Sequence, residues 1–476
     1  MTDGALLHSR YNPQAEAARY IDSLKLKETI KCFILIEPGL GYIIPVLQKR
    51  FKKAKIIVLH LGDFTQAKNI ERASYNQQVI EQNFPQEADA KEVQKFLETQ
   101  VPQTSVDCIR VIEWRPSLNY YREAYLKLLS HVVDYLKRAD AEGRTTAAFG
   151  KRWVRNFFRN IANINKIVLY RQSGLPVIIT GSGPSLENVL PLIKNVQSRF
   201  LIIAASSSVT ALSHNGIIPD IITATDGGPW ALWHIYPVIR NNPGAFHAVN
   251  LCAALPSQCS NTPKLILNDG SLWQSIILHE LSIPSVLIPQ RGTVSATAAE
   301  LAMILSGGNI YLAGMDFSAD DIRTHVRPYS FDSLFFGSAN RLRSVYSQLY
   351  TRSSLLKQGG SLDVYASWFK NQLDSWPKRI FSAGQGNKIF EKTESLTLSE
   401  KKAETEENKK TEKYFNCVSI DSAHFKTRGA QALFNAMKNT DHWEKLKEEL
   451  TPLLFPGNDS VTEKMLKAAI YGISHD

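Results

Sequence analysis

The sequence predicts an α/β protein built around a mainly parallel, doubly wound sheet. The 476 residues suffice for two or three domains, and 44% of them are hydrophobic, which is enough to bury several cores. Between about residues 166 and 317, short β-rich runs alternate with helix-compatible segments, and such alternation is typical of parallel sheets covered by helices. The predicted strands of this region are Val177 to Thr180, Phe200 to Ala204, Ile221 to Thr225, Phe246 to Leu251, Lys264 to Leu267, Val286 to Ile288 and Asn309 to Leu312.

The chain is predicted to divide into three regions. Residues 1–165 form an N-terminal α/β domain that ends in a helical connector. Residues 166–335 form the central α/β domain. Residues 336–476 form a helical region with a charged linker at 391–413. This linker is rich in acidic and basic residues and contains no aromatic residue.

In the first region, a predicted strand at Cys32 to Ile36 leads through Gly39-Leu40-Gly41 into a helix. A second strand is predicted at Ile56 to Leu61. Two glycines without a correctly spaced third are weak evidence for a nucleotide site, so an ordinary turn between strand and helix is the favoured interpretation.

Charge and cysteine content narrow the functional classes. A net charge of +10 favours anionic ligands such as nucleotides, acidic sugars, nucleic acid or anionic lipid. The five cysteines contain no CxxC pair, which argues against a disulfide framework or a cysteine zinc site and suits a reducing compartment. No zinc-finger spacing, RNP-like motif or helix-turn-helix pattern points to nucleic acid as a partner.

We expect the protein to be cytoplasmic. Met1 to Arg10 lacks a charged start followed by an apolar segment, and no apolar run approaches the roughly 18 residues of a membrane span.

A glycine loop is the strongest local signal in the sequence. The predicted strand at Val177 to Thr180 runs directly into a turn and then a helix. Glycine lets the backbone approach a ligand closely, and unpaired N–H groups at a helix start favour phosphate. The pattern supports a phosphate site and an ordinary tight turn about equally. The candidate nucleotide-binding residues of this loop are Gly181, Ser182, Gly183, Pro184 and Ser185.

Further polar residues follow other predicted strands. Ser206 and Ser207 offer hydroxyls after the second strand, and Thr293 and Ser295 offer them at a later helix start. Asp226 ends the third strand, where it can accept from ribose hydroxyls, hold a metal ion or cap a helix. Since the carboxyl ends of parallel strands share one edge of the sheet, these loops are expected to face one cleft.

A histidine between two arginines follows the last predicted strand. The segment contains Asp316, then Arg323, His325 and Arg327. The candidate catalytic residues are His325, Asp226 and Asp316. His325 can act as a general base while the arginines hold negative charge and lower its pKa, although a lone histidine is more often structural.

Four motifs in order resemble the DUF115 family, which has an MptE-like domain. They are GSGPSL at Gly181, IPDIITATDGG at Ile218, RGTVSATAAELA at Arg291 and AGMDFS with RTH between Ala313 and His325. The family includes the motility-associated factor (Maf) flagellin glycosyltransferases and the archaeal 6-hydroxymethylpterin diphosphokinases. The Gly-Pro-Ser element also resembles that of bacterial sialyltransferases, which use CMP-sugar donors.

The resemblance implies a Rossmann-like central domain, and the additional regions on both sides favour the Maf branch. It further implies transfer of a nonulosonic acid of the pseudaminic or legionaminic type from CMP to serine or threonine of flagellin. The glycine loop, Ser206, Thr293 and Ser295 would hold the phosphate, Arg323 or Arg327 the sugar carboxylate, and His325 would deprotonate the acceptor.

Two alternatives remain open. One is a pterin diphosphokinase that uses ATP, with Mg²⁺ as its cofactor on Asp226 and Asp316. The other is a flagellin-binding module without catalytic activity. The sequence leaves the metal requirement and the sugar unassigned.

Overall fold

The structure is a computed structural model. It describes residues 7–62, 78–84, 89–102, 106–241, 244–358, 361–373, 376–377, 379–384, 410–458 and 460–475. The chain divides into two compact units, Met1–Ala148 and Phe149–Asp476.

The first unit contains a four-stranded parallel sheet with the strand order β3-β2-β1-β4. Its central strand β1 is fully buried, as a continuous apolar run requires when helices cover both faces. The strands are β1 (Cys32–Ile36), β2 (Lys55–His60), β3 (Val79–Asn83) and β4 (Ile109–Glu113). The helices are α1 (Pro13–Ser23), α2 (Ile43–Arg50), α3 (Ala90–Gln100) and α4 (Arg115–Tyr120).

Helix α5 (Arg122–Ile161) follows and has 40 residues. Its early apolar residues, such as Tyr125 and Val132, belong to a core of the first unit. Its late ones, such as Phe157 and Ile161, belong to a core of the second. The predicted helical connector is therefore present as two helices, α4 and α5.

The second unit contains a ten-stranded sheet. Its order is β13-β12-β6-β7-β8-β9-β10-β5-β14, with β11 paired to β10. All pairings are parallel except that of β14 with β5. The strands are β5 (Lys166–Tyr170), β6 (Val177–Thr180), β7 (Leu201–Ala205), β8 (Ile221–Ala224), β9 (Phe246–Asn250), β10 (Lys264–Asn268), β11 (Val286–Leu287), β12 (Ile310–Ala313), β13 (Ile380–Ser382) and β14 (Phe415–Ser419).

Helices cover both faces of this sheet. The helices of this unit are α6 (Leu186–Val196), α7 (Val209–His214), α8 (Leu232–Asn241), α9 (Leu272–Glu280), α10 (Val294–Leu305), α11 (Asp332–Gly337), α12 (Val345–Gln358), α13 (Ser361–Leu373), α14 (Lys410–Tyr414), α15 (Phe425–Ala436), α16 (Thr440–Leu454) and α17 (Glu463–His475). The predicted α/β class with a mainly parallel, Rossmann-like sheet is confirmed. Among the helices of the described residues, none is long and apolar enough to cross a membrane.

The C-terminal region differs from the expected helical region. Strands β13 and β14 complete the two edges of the large sheet. Residues from both sides of the predicted boundary at 335 share cores, as Leu201 and Phe369 do. Residues 336–476 therefore belong to the second unit. Residues 391–409 of the predicted linker lie outside the described residues. Its last residues, from Lys410, belong to helix α14.

Candidate functional site

The polar loops of the second unit meet at its topological switch point. The chain builds the sheet outward from β6 to β10 and then returns to place β12 on the other side of β6. Ligands of such sheets bind outside the carboxyl ends of the strands at this point. The loops after β6 and β12 are the glycine loop and the segment from Gly314, so the predicted edge is confirmed as the location of both.

The glycine loop lies directly against the loop after β12. Gly181 N donates to Ala313 O at 2.8 Å, and Gly183 N donates to Gly314 O at 2.8 Å. A Cβ atom on Gly181 would lie 2.5 Å from Gly314 O, and one on Gly183 would lie 2.5 Å from Asp316 Oδ2. Glycine is therefore required at both positions by the close approach of two loops of the same protein.

Asp316 occupies the start of helix α6. Its Oδ2 accepts from Ser185 N at 2.7 Å, and its Oδ1 accepts from the Ser185 hydroxyl. Burial raises the pKa of Asp316, while the hydrogen bonds from Ser185 oppose that rise. A carboxylate is favourable here because a helix start carries partial positive charge.

These contacts give residues of the loop structural roles beside the functional roles expected of them. The N–H groups of Gly183 and Ser185, expected to hold a phosphate, donate to the protein itself. Asp316, expected to be catalytic, uses both oxygens on Ser185 and therefore fixes the loop to the helix start.

A pair of hydroxyls lies at the adjacent strand ends. Ser207 Oγ donates to Ser182 Oγ at 3.0 Å, which joins the loops after β6 and β7. Behind them, Thr180 Oγ1 and Ser208 Oγ lie 2.8 Å apart in a buried bond. Ser206, the neighbour of Ser207, is only 7% exposed. The partly exposed Ser182 and Ser207 are thus the hydroxyls that a ligand at this edge can reach.

The histidine segment is anchored to this pair. Val326 N donates to Ser182 O at 2.8 Å. Arg323 forms ion pairs with Glu187 at 3.2 Å and Asp320 at 2.5 Å, so its charge is already matched. Arg327 donates its backbone N–H to Glu187 at 3.1 Å and has an exposed side chain. Of the two arginines, Arg327 is therefore the better candidate to bind an acidic ligand.

His325 lies in an aromatic cluster. Its ring stacks on Tyr329 with centroids 4.1 Å apart, and its Nδ1 lies 2.9 Å from Thr324 Oγ1. The Tyr329 hydroxyl lies 3.5 Å from His234 Nε2, and the Arg352 guanidinium lies 5.7 Å from the Tyr329 ring centre.

Burial, together with the nearby charges of Arg352 and His234, lowers the pKa of His325 to about 3. The imidazole is therefore neutral at pH 7, as a base requires, although a pKa this low makes it a weak one. The neutral form was expected, but Arg352 and His234 contribute to it rather than the neighbouring Arg323 and Arg327.

Asp226 lies apart from Asp316. It is exposed after β8, and its Oδ1 accepts from Gly228 N at 2.7 Å. Strands β8 and β12 are three positions apart in the sheet, which places their ends about 14 Å from each other. The spacing of these strands does not favour one Mg²⁺ ion bound by both carboxylates. Within the described ranges, no group of three or more His, Cys, Asp or Glu could hold a metal ion.

Thr293 caps helix α10. Its hydroxyl oxygen accepts from Ser295 N at 3.1 Å and from Ala296 N at 3.3 Å. This is the usual role of a threonine before a helix. Thr293 thus has a structural reason to be present that requires no phosphate, whereas Ser295 contributes only its backbone N–H to this cap.

Sequence reasoning missed His234, Tyr329 and Arg352, which surround His325. Arg352 follows His325 by 27 positions, and His234 precedes it by 91, so spacing gave no indication of the cluster. The aromatic composition after Tyr329 was the available signal.

Comparison with known proteins finds similarity in the region that carries this site. A family model described as "6-hydroxymethylpterin diphosphokinase MptE-like" matches residues 151–321. An uncharacterised protein of Treponema pallidum is 28% identical over 281 residues, which are 59% of this chain and 61% of that protein. A 6-hydroxymethyl-7,8-dihydropterin pyrophosphokinase of Methanothermobacter thermautotrophicus is 33% identical over 154 residues, which are 32% of this chain and 61% of that protein. The chain thus spans about three fifths of each relative.

A solved structure extends the similarity to nearly the whole chain. The Maf glycosyltransferase of Magnetospirillum magneticum AMB-1 aligns with a TM-score of 0.57 and 16% identity, over 93% of this chain and 74% of that one. At this identity the match establishes a shared fold. Residues 151–321 are therefore similar to the MptE-like (DUF115) family model, and the chain shares its fold with the Maf glycosyltransferase of Magnetospirillum magneticum.

Proposed function

We propose that the protein is a glycosyltransferase that transfers a nonulosonic acid of the pseudaminic or legionaminic type from CMP to serine or threonine of flagellin. The main support is the bond from Val326 N to Ser182 O, which holds the His325 segment against the Ser182–Ser207 hydroxyls at the switch point. The fold shared with a Maf glycosyltransferase supports the same class of reaction.

In this proposal the donor phosphate binds at the hydroxyl pair. Ser182 and Ser207 donate to the phosphate as the bond from its oxygen to the anomeric carbon breaks, and CMP keeps the electron pair. Donors fixed in advance where charge develops are a main source of rate enhancement. The exposed Arg327 pairs with the carboxylate of the sugar.

His325 receives the proton of the acceptor hydroxyl. As the acceptor oxygen bonds to the anomeric carbon, it gains positive charge and becomes strongly acidic, so an imidazole with a lowered pKa can take its proton. This role needs the lone pair on Nε2, with the proton on Nδ1 donated to Thr324 Oγ1, whose distance is 2.9 Å.

Ligand-dependent thermal stability tests the donor class. CMP at 100 times its dissociation constant should stabilise the protein by about 2.7 kcal/mol, and ATP should not. The Ser182→Ala/Ser207→Ala double variant should lose the response to CMP. Ser23→Ala, which removes a hydroxyl from α1 in the first unit, should keep it. Equal responses in all three proteins would contradict the proposed phosphate site.

Single-turnover transfer to flagellin tests the base. His325→Ala should lose about 10²-fold or more in rate with unchanged affinity for CMP, because general-base catalysis contributes about that much. A near-normal rate would remove His325 from the mechanism. Absence of any transfer by the wild type, with flagellin still bound, would favour a binding module.

A diphosphokinase is the second candidate, because the family model and the archaeal relative both carry that description. It predicts stabilisation by ATP that depends strictly on Mg²⁺. Asp226 is the candidate metal ligand in that case, since Asp316 is held by Ser185. Asp226→Asn should then abolish the Mg²⁺-dependent response, and retention of the response would exclude this role.

A further inference from the structure

Three exposed aromatic side chains lie close together along one segment. Trp230 is 64% exposed, Trp233 is 37% exposed and Tyr236 is 50% exposed. They follow one another at intervals of three residues, so they share one side of the short turn at Pro229–Ala231 and of helix α8. We call these three residues the aromatic face. Exposed apolar groups of this size are typical of interaction sites.

The aromatic face is connected to His325 through successive ring contacts. The Phe331 ring lies 6.3 Å from that of Trp230 and 6.2 Å from that of Trp233. Phe331 lies 5.5 Å from Tyr329, whose ring stacks on His325. The face is therefore continuous with the proposed base.

The His325 segment is connected both to the proposed donor site and to this face. Val326 ties the segment to Ser182 and hence to the hydroxyl pair. Tyr329 and Phe331 connect it to the aromatic face. A general base must contact the attacking hydroxyl, so the acceptor has to approach His325 from a direction that the donor leaves open.

We propose that the aromatic face is the docking surface for the acceptor polypeptide, which it binds through apolar side chains flanking the hydroxyl to be modified. This inference rests on the proposed function and adds the surface to it. Trp, Tyr and Arg are the residues that most often dominate the energy of protein interfaces.

The charge near the face favours a polypeptide that also carries acidic side chains. The Arg352 guanidinium lies 6.0 Å from the Phe331 ring centre. The nearby carboxylate of Asp332 already accepts from Tyr329 N at 2.8 Å. A neutral saccharide would leave the Arg352 cation without a counter-charge, whereas an acidic polypeptide supplies one.

The test measures binding of fluorescently labelled flagellin from the same organism, without any donor. Trp230→Ser/Trp233→Ser should weaken binding about 10-fold or more, as expected on removal of aromatic anchors. Trp230→Phe should keep most of the affinity. Tyr471→Ser is the matched control, because Tyr471 is 56% exposed and belongs to α17, which is far in the sequence from the aromatic face. It should leave binding within about twofold of the wild type.

Each result decides the inference. Unchanged flagellin binding in the double variant would overturn it, as would absence of binding to the wild type. Loss of the CMP response with flagellin binding intact would place the donor on this surface and would also overturn it. If the double variant fails to fold, Trp230→Ser alone gives the same comparison, since its side chain is mostly exposed. The CMP response of the wild type reports separately on the proposed function.

Discussion

Each unit places a glycine loop after a buried parallel strand, but different groups fill the space beside the two loops. In the first unit, Leu40 N donates to His8 Nε2 at 2.8 Å, and a Cβ atom on Gly39 would lie 2.5 Å from that nitrogen. In the second unit, Gly181 and Gly183 lie against the backbone of Gly314. A glycine turn after a strand thus identifies a close approach, and only the structure identifies what approaches.

Buried histidines also differ between the units. His60 at the end of β2 lies 3.7 Å from Glu37 Oε1 and 3.3 Å from Glu81 Oε1. Burial alone would lower the pKa of His60, but the two carboxylates together raise it above its usual value. His325 has cationic and aromatic neighbours instead, and its pKa is lowered.

Acidification should produce the largest difference in stability between the two units, because three histidines of the second unit act together. Burial lowers the pKa of His325 to about 3 and those of His234 and His247 to about 4. Between pH 6.5 and about 4, the unfolded chain binds protons that the folded unit does not, so its stability should fall as pH falls. The stabilisation from His60 has the opposite sign and is lost as pH rises above 6.5 through its raised pKa.

Hydrogen exchange followed by mass spectrometry on the full chain can separate the two units. Peptides of the second unit should lose protection first between pH 6.5 and 5. His247→Gln should make this loss shallower. Parallel loss in both units, or no effect of His247→Gln, would contradict the assignment of these pKa shifts.

The next largest effect is expected for Gly183→Val. Its Cβ atom would lie 2.5 Å from Asp316 Oδ2 and 2.8 Å from Gly314 O, so the loops must separate. We expect a loss of about 3 kcal/mol in the free energy of unfolding, as for overpacking, together with loss of CMP binding. Gly39→Ala should cost only about 1 kcal/mol, because a side chain can move and the remaining cost is its positive φ. Equal losses of unfolding free energy in Gly183→Val and Gly39→Ala would show that the two glycine loops do not differ in packing.

Asp316→Ala should have a smaller effect. It leaves Ser185 N and the Ser185 hydroxyl without their acceptor, which typically costs about 2 kcal/mol for a buried group. Asp316→Asn keeps one acceptor oxygen and should recover part of the loss. Urea unfolding of both variants measures this, and identical stability of Asp316→Ala and the wild type would refute the role given to this carboxylate.

His8→Ala should have the smallest effect of the series. It removes the acceptor of Leu40 N and one neighbour of Trp114, whose ring centre lies 5.1 Å from that of His8. About 1 kcal/mol is expected, confined to the first unit. Faster exchange of the Leu40 amide with unchanged exchange at Gly181 and Gly183 is the measurement, and no change at Leu40 would contradict the contact.

Buried strands were predictable because their apolar runs are continuous and end in turns. Cys32–Ile36 and Val177–Thr180 have the bounds predicted for them. The edge strand Phe415–Ser419 was missed because only its first residue is buried, so no apolar run marks it.

The edge of the sheet that carries the candidate site was predictable, but the partners of its side chains were not. The loops that follow parallel strands lie at one edge of the sheet, so their positions can be predicted. The partners of their side chains depend on packing between segments that are distant in the sequence. Ser185 and Asp316 are 131 positions apart, and no local pattern indicates that they meet. The same is true of His325 and Arg352, which come from a loop and a later helix.

The two edge strands of the large sheet also determine how the chain can assemble during its synthesis. The four strands of the first unit are all present once Glu113 has been made. The sheet of the second unit receives β13 and β14 only after Ser382 and Ser419, and one of its cores includes residues as late as Ile473. At roughly 5 to 20 residues per second, the ribosome would leave the edge of β12 unpaired for about 3 to 14 s and that of β5 for about 12 to 50 s. Unpaired strands bind other chains, so the nascent second unit is the part of this protein most in need of a chaperone.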